Sequence, residues 1–218
     1  FDFKLKKFIS GDCLDSSTRH LVWLAPFSLQ EKEKLFTKNV IQKLNPIDSV
    51  KKLFNKYFKA GKYFDTQDRL QYLDLKTYLG DFGLVKTDRA SSLASLELRP
   101  PFLTTELTKF VFSLPSSFRL KGLTTKYLLK ESVKDLLPKE IINRPKKGFG
   151  APIAKWINKD LKLQVDQKLN KNRLKKQGIF NPEIVKEILQ EHRSQKKNNR
   201  MKIWSLFMFQ LWYDNFFI

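Results

Sequence analysis

The chain has 218 residues, of which 41% are apolar and 29% are charged, so it can bury a core and is not a disordered polypeptide. Its 42 lysines and arginines stand against 22 acidic residues, a formal charge of +20 that attracts phosphates, nucleic acids and anionic surfaces. The lysines are scattered along the whole chain, and a solvated basic surface would give the same total. Charge alone therefore leaves nucleic-acid binding open without selecting it.

Cysteine usage and hydropathy indicate the compartment. Cys13 has no second cysteine with which to form an internal disulfide, which favours a reducing, cytoplasmic location. The longest apolar run, 203–218, is interrupted by polar residues and is shorter than the ~20 residues that cross a bilayer. We predict a buried helix there and no membrane association. Because the chain begins with Phe1 rather than methionine, we expect further sequence upstream.

Helix-start signals dominate the first part of the chain. Ser28 and Glu31 have the spacing of a capping box. Asn45, followed by proline, predicts the start of a helix whose apolar face ends at Gly61. Asp65 predicts the start of another, and the pattern places its end near Gly80.

The middle of the chain also favours helices. Residues 84–96 are rich in alanine and serine, which allow close helix packing, so we expect this segment to be central and buried. Further helices are predicted over 105–113 and 124–137. Beyond the loop 143–152, helices are predicted from Ile153 and from Asn181, whereas 191–200 resembles an exposed polar turn. The predicted fold class is all-α.

Two segments contain residues that could carry chemistry. Arg144 and Lys146 lie in a loop with glycines and prolines, and in an extended segment residues two apart project to the same side. They could converge on one anion, although an ordinary solvated basic loop has the same pattern. The second segment has charges within and after the small-residue run, and they could pair with one another or face a ligand; they are Asp88, Arg89, Glu97 and Arg99.

Other common site patterns are missing from the sequence. The two histidines, His20 and His192, are far apart, and no cluster has the spacing of a metal site, so no metal ligands are predicted. Neither a P-loop nor a dinucleotide-binding glycine motif is present.

Taken together and in this order, the two segments resemble the asparagine synthetase family. The family reads roughly Asp-Arg-x-Ser-Met-Ala-x-x-x-Glu-x-Arg-x-Pro-Phe-Leu-Asp, and residues 88–103 match it with a one-residue offset. The final aspartate is Thr104 here. The family then has a lysine-led helix, represented by Lys126, and an Arg-x-Lys-x-Gly-Phe motif, represented by 144–149. The likeness extends over nearly the whole chain, 1–218, which resembles the helical C-terminal portion of an adenine-nucleotide-α-hydrolase-like, pyrophosphate-loop synthetase domain.

The resemblance implies an ATP-dependent reaction. Such enzymes adenylate a carboxylate of aspartate, release pyrophosphate and let ammonia derived from glutamine displace AMP, giving asparagine. By resemblance, Lys146 is the catalytic lysine, and its charge stabilises the departing pyrophosphate. The resemblance also implies that other charged residues of the matching motifs bind ATP, pyrophosphate or the substrate. These residues are Arg144, Lys126, Asp88, Arg89, Glu97 and Arg99. The implied cofactor is ATP with Mg²⁺, and a homodimer is one open oligomeric state.

Three family features are missing from residues 1–218: the N-terminal cysteine for glutamine hydrolysis, the Ser-Gly-Gly-x-Asp-Ser pyrophosphate loop and the acidic segment after it. In the family they lie upstream, so we expect most contacts with ATP and Mg²⁺ to lie there too. The alternatives left open are a relative that amidates a sugar acid, cyclises a peptide or closes a β-lactam ring, a degenerate homologue without activity, and a basic helical nucleic-acid-binding module.

We predict that this chain alone has no synthetase activity, because the residues that would grip most of ATP are not in it. The measurement is AMP formation from ATP and aspartate by the isolated chain. Release of AMP above the buffer blank would contradict the prediction.

Overall fold

The computed structural model describes residues 8–9, 11–62, 64–148 and 150–217. Two compact units are present, one formed by 1–53 with 149–218 and the other by 54–148. Among the described residues the regular elements are helices, apart from one two-stranded sheet, which confirms the predicted all-α class. Phe149 of the basic loop, and Ile218 at the end of the apolar run, lie outside the described residues.

The elements follow one another with short connections. The helices are α1 (Ser16–Leu24), α2 (Leu29–Leu35), α3 (Lys38–Leu44), α4 (Pro46–Ala60), α5 (Thr66–Asp74), α6 (Val85–Leu93), α7 (Thr105–Ser113), α8 (Tyr127–Ser132), α9 (Lys139–Ile142), α10 (Ile153–Lys155), α11 (Lys162–Lys168), α12 (Lys171–Gln177), α13 (Pro182–Arg193) and α14 (Arg200–Phe217). π-helical segments cover Leu75–Leu84 and Trp156–Asp160, and 3₁₀ turns cover Pro101–Leu103 and Ser116–Phe118. Strands β1 (Leu120–Lys121) and β2 (Thr124–Thr125) pair antiparallel.

The first unit has an apolar core built by α2 and the C-terminal helices. Ile157, Leu174 and Ile203 have no exposed surface. The full cluster is Phe27, Leu35, Ile157, Val165, Leu169, Leu174, Phe180, Val185, Leu189, Ile203, Leu206 and Phe207. Removal of this apolar surface from water is the main force that holds the helices together.

A polar network fastens α14 to α12 and α11 beside that core. Gln210 is fully buried, and its Nε2 donates to Gln177 Oε1 at 2.7 Å. Arg173 Nε donates to Gln210 Oε1 at 3.3 Å, and the Arg173 guanidinium also pairs with Asp214. A hydrogen bond from Lys168, together with the nearby charge of Arg173, lowers the pKa of the Asp214 carboxyl from its ordinary value. The amide at Gln210 is tolerated in the interior because its oxygen and nitrogen are both hydrogen-bonded.

Local side-chain hydrogen bonds start several helices. Asp15 caps α1 by accepting from the backbone amides of Ser17 and Thr18 at 3.1 Å. Burial alone would raise the pKa of Asp15, but hydrogen bonds from Ser17 and Thr18 outweigh it and hold the pKa at about 2. The predicted capping box of α2 is confirmed, since Ser28 and Glu31 each accept the other's backbone amide.

The helix boundaries agree with the sequence where a cap decides them. Asp48 N donates to Asn45 Oδ1 at 3.4 Å at the predicted start of α4, and Asp68 N donates to Asp65 Oδ1 at 2.8 Å at that of α5. The predicted stop near Gly80 is wrong, because the backbone continues as a π-helix to Leu84 and then as α6.

Four further expectations are wrong in part or in full. The helix predicted over 124–137 begins instead with strand β2, and α8 spans only Tyr127–Ser132. The small-residue segment 84–96 is mostly exposed in this chain. Residues 191–200 are not uniformly exposed, because His192 and Asn199 are buried and Asn199 Nδ2 donates to Ile188 O at 3.2 Å. The apolar C-terminal run is helical as predicted, but only its first half is buried.

We predict that Leu174→Ala lowers the free energy of unfolding by about 2–5 kcal/mol, because it leaves a cavity in the core. Urea denaturation followed by circular dichroism measures the change. Lys175→Ala, at an exposed position of the same helix, is the matched control and should change stability by less than about 0.5 kcal/mol. Equal effects of the two substitutions would contradict the assignment of this core.

Candidate functional site

A short hairpin in the second unit places the first of the basic side chains. Strand β1 pairs with β2 through Leu120 opposite Thr125 and Lys121 opposite Thr124. Gly122, in the two-residue turn, has φ of +58°, which glycine adopts without strain. Lys126 follows in the left-handed region, with φ of 56° and ψ of 37°, and occupies the N-cap position of α8 without a capping hydrogen bond from its side chain. The chain therefore turns sharply at Lys126.

The other basic side chains come from the loop after α9. Asn143 N donates to Lys139 O at 3.0 Å where this helix ends. Residues 144–148 have no regular secondary structure, and Pro145 within them has no amide hydrogen to give to a helix. The segment presents Arg144, Lys146 and Lys147 from an irregular backbone.

The two arms, α8 and the loop, line one groove with a volume of about 730 Å³. Its apolar wall is formed by aliphatic residues of α8, α9 and the turn between them. The complete lining is Thr125, Lys126, Leu129, Lys130, Val133, Leu137, Ile141, Ile142, Asn143, Arg144, Pro145, Lys146 and Lys147. Five of these side chains are cationic and none is acidic.

The cations of the groove are not neutralised by neighbours. Among the residues that the structure describes, none of the five forms an ion pair or a side-chain hydrogen bond. Lys134, one helical turn beyond Lys130, differs because it pairs with Glu131 at 3.4 Å. Unpaired like charges around one concave surface produce a positive potential that favours a multiply charged anion.

The structure brings together three of the sequence-predicted site residues and leaves four elsewhere. Lys126, Arg144 and Lys146 line the groove. Four others do not line it: Asp88, Arg89, Glu97 and Arg99. Asp88 and Arg89 are exposed on α6.

Glu97 and Arg99 pair with each other. Arg99 Nη2 lies 2.9 Å from Glu97 Oε1, and both side chains are more than 70% exposed, at 84% and 73%. Such an exposed pair contributes about 0–1 kcal/mol to stability. Pairing among these charged residues was one of the two arrangements that the sequence left open, and Glu97 with Arg99 shows it.

Sequence reasoning missed two cations of the groove, Lys130 and Lys147. Helical spacing could have identified Lys130, because residues four apart lie on the same helix face and Lys130 N donates to Lys126 O at 3.0 Å. Lys147 has no comparable signal, since an alternating pattern would have placed it on the opposite side from Arg144 and Lys146.

A buried ion pair holds the hairpin that leads into the groove. Arg119 pairs with Asp68 of α5, and the two side chains are only 11% and 10% exposed. The same guanidinium donates to the carbonyl oxygens of Val111 and Leu114. Tyr127 N donates to Arg119 O at 3.2 Å, so the residue also meets the start of α8. Burial lowers the pKa of Arg119, against the opposing effect of the Asp65 charge.

The lining of the groove suits phosphate rather than a metal ion. Mg²⁺ is held by carboxylate and other oxygen ligands, and the groove has no carboxylate. Among the described ranges 8–9, 11–62, 64–148 and 150–217, no group of three acidic, histidine or cysteine side chains could hold a metal. Nor does any helix in those ranges have the length and hydrophobicity needed to cross a bilayer.

Thr104, which departs from the family motif, has a structural role. Its hydroxyl accepts a hydrogen bond from Leu107 N at 3.4 Å and caps α7. Aspartate and threonine are both favoured at this position of a helix, so the departure preserves the cap.

We predict that Arg119→Met destabilises the chain by about 3–5 kcal/mol, because it leaves the Asp68 carboxylate buried without its partner. Lys139→Met, which removes an exposed cation of the same unit, is the control and should cost less than about 0.5 kcal/mol. Thermal and urea unfolding measure both variants. A small effect of Arg119→Met would show that the hairpin does not depend on this pair.

Comparison with known proteins places the chain in a family. The model of the family described as "Asparagine synthase" matches residues 12–214. A Bacillus subtilis protein named asparagine synthetase [glutamine-hydrolyzing] 1 is 28% identical over 182 residues, which are 84% of this chain and 28% of that protein. A putative asparagine synthetase from Mycobacterium bovis is 31% identical over 70% of this chain and 23% of its own length.

The relatives also include a vertebrate protein. The asparagine synthetase of Gallus gallus is 36% identical over 141 residues, which are 60% of this chain and 25% of that protein. The chain thus spans about a quarter of the length of these relatives. No solved structure matches the chain. The family match covers nearly all of the chain and supports the pyrophosphate-loop type of synthetase fold. The chain belongs to the asparagine synthase family.

Proposed function

We propose that this chain is the helical C-terminal portion, 1–218, of a glutamine-dependent, ATP-consuming ligase. The full-length enzyme adenylates the side-chain carboxylate of aspartate and releases pyrophosphate. Ammonia from glutamine then displaces AMP and gives asparagine. Glutamine hydrolysis and most contacts with ATP belong to parts of the full-length protein upstream of this chain.

The observation that carries the proposal is the convergence of Lys126, Arg144 and Lys146 on one groove without an acid. The two segments are separated along the chain, and each matches a motif of the family. A groove with several unpaired cations suits the phosphate chain of ATP and the pyrophosphate that leaves it. An exposed basic surface without function would not require cations from two segments to share one cavity.

Lys146 has the role of the catalytic lysine in this proposal. When the carboxylate oxygen attacks the α-phosphorus, the bond to the bridging oxygen breaks and negative charge accumulates on the departing pyrophosphate. A positioned ammonium stabilises that charge more in the transition state than in the ground state. Arg144 can grip two oxygens of the same group with its guanidinium, whereas Lys126 acts from the other arm as a point charge.

The cofactor, the acceptor, the location and the oligomeric state of the full-length enzyme are also proposals. ATP with Mg²⁺ is the expected cofactor, and the groove residues contribute to the phosphates rather than to the metal. Nothing in the groove selects aspartate over the carboxylate of a sugar acid, a peptide or a β-lactam precursor, and assays with several acceptors distinguish these. We propose a cytoplasmic enzyme that does not use nucleic acid, with a homodimer as one oligomeric state to test.

We predict that Lys146→Ala in the full-length protein lowers the adenylation rate by about 100-fold or more and leaves glutamine hydrolysis unchanged, because only adenylation develops charge at the groove. Pyrophosphate release and glutamate formation are measured in parallel. Lys139→Ala, an exposed lysine of α9 outside the lining, is the matched control and should leave both activities intact.

The role assigned to Lys146 is wrong if both activities fall together with the melting temperature. In that case the lysine supports the fold rather than the reaction. If the wild-type protein forms no AMP with any carboxylate acceptor, the proposed function itself is wrong.

A further inference from the structure

We infer that Lys130 is a further polyphosphate-binding residue of the groove, which neither the family motifs nor the sequence pattern assigned. The inference rests on the proposed function in that it extends the same site. The ligand class is a compound with at least two linked phosphates, such as inorganic pyrophosphate or the phosphate chain of a nucleotide.

Geometry is the first support. Lys130 lies on α8, and Lys126 lies immediately before that helix at its N-cap position. Both lysines line the groove. Arg144, Lys146 and Lys147 come from the loop after α9, which is the other arm of the groove. A ligand with two linked phosphates offers oxygens to both arms at once, which a single small anion does less well.

Burial distinguishes Lys130 from the other four cations. It is half-buried, whereas the other four, Lys126, Arg144, Lys146 and Lys147, are exposed. Leu129 and Val133 are its apolar neighbours in the lining. A side chain that is partly covered by its surroundings has less rotamer freedom to lose on binding an anion than a fully exposed one.

Lys130 also lacks a protein partner that would explain its position. Among the described residues it has no ion pair and no side-chain hydrogen bond, although an acidic residue, Glu131, is adjacent in sequence. Glu131 pairs instead with Lys134, whose side chain is 60% exposed and does not line the groove. An anionic ligand can therefore contact this ammonium without first breaking an ion pair among the described residues.

The test is isothermal titration of the full-length protein with inorganic pyrophosphate at low ionic strength. Lys130→Met keeps most of the apolar stem and removes the charge, so it should weaken binding about tenfold, the loss typical of one charge-assisted hydrogen bond. Lys130→Arg should restore most of the affinity. Lys134→Ala, one turn away on the solvent side, is the matched control and should bind as the wild type does.

Unchanged pyrophosphate affinity in Lys130→Met, or no pyrophosphate binding by the wild type, would overturn the inference. An equal loss in Lys134→Ala also overturns it, because the effect would then be general charge rather than a contact. A lower melting temperature in Lys130→Met without rescue of binding by Lys130→Arg would assign the lysine to the fold. The titration needs neither acceptor nor turnover, so its outcome is independent of whether the full-length protein makes asparagine.

Discussion

The buried contact between Arg119 and Asp68 is the interaction on which the second unit depends. Among the described residues of this unit few apolar side chains are fully buried, and Leu73 is the one of them with no exposed surface. Arg119 joins α5 to the end of α7, to the hairpin and to the first residue of α8 through side-chain and backbone hydrogen bonds. The planar guanidinium reaches Asp68 and the carbonyl oxygens of Val111 and Leu114 at once, and the single ammonium of a lysine would not reproduce this geometry. The contact with α8 is made by the backbone.

Charge imbalance is the second constraint. With 42 basic and 22 acidic residues, at least 42 − 22 = 20 cations cannot have an acidic partner of their own. In the first unit, acids such as Asp214 and Asp166 are each shared by two cations. The groove shows the opposite arrangement, because its five cations surround an apolar wall without an acid. Their accumulation at one concave place is what distinguishes a binding site from a solvated basic surface.

Motif residues that do not reach the groove show how local sequence and site formation differ. Asp88 and Arg89 match the family pattern as closely as Arg144 and Lys146 do, yet they lie exposed on α6. The small residues around them were expected to be buried, and in this chain they are exposed. A stretch suited to close packing therefore does not by itself supply the partner against which it packs.

The sequence by itself determined the helical class, the caps at Ser28, Asn45 and Asp65, and the family. Helix caps can be predicted from the sequence because the hydrogen bonds that form them join residues only two or three positions apart. Tertiary structure alone decided that Lys126 shares a groove with Arg144 and Lys146, and that the small-residue segment 84–96 is mostly exposed. These outcomes depend on packing between segments distant in the chain, and local hydrogen-bonding patterns carry no information about such distances.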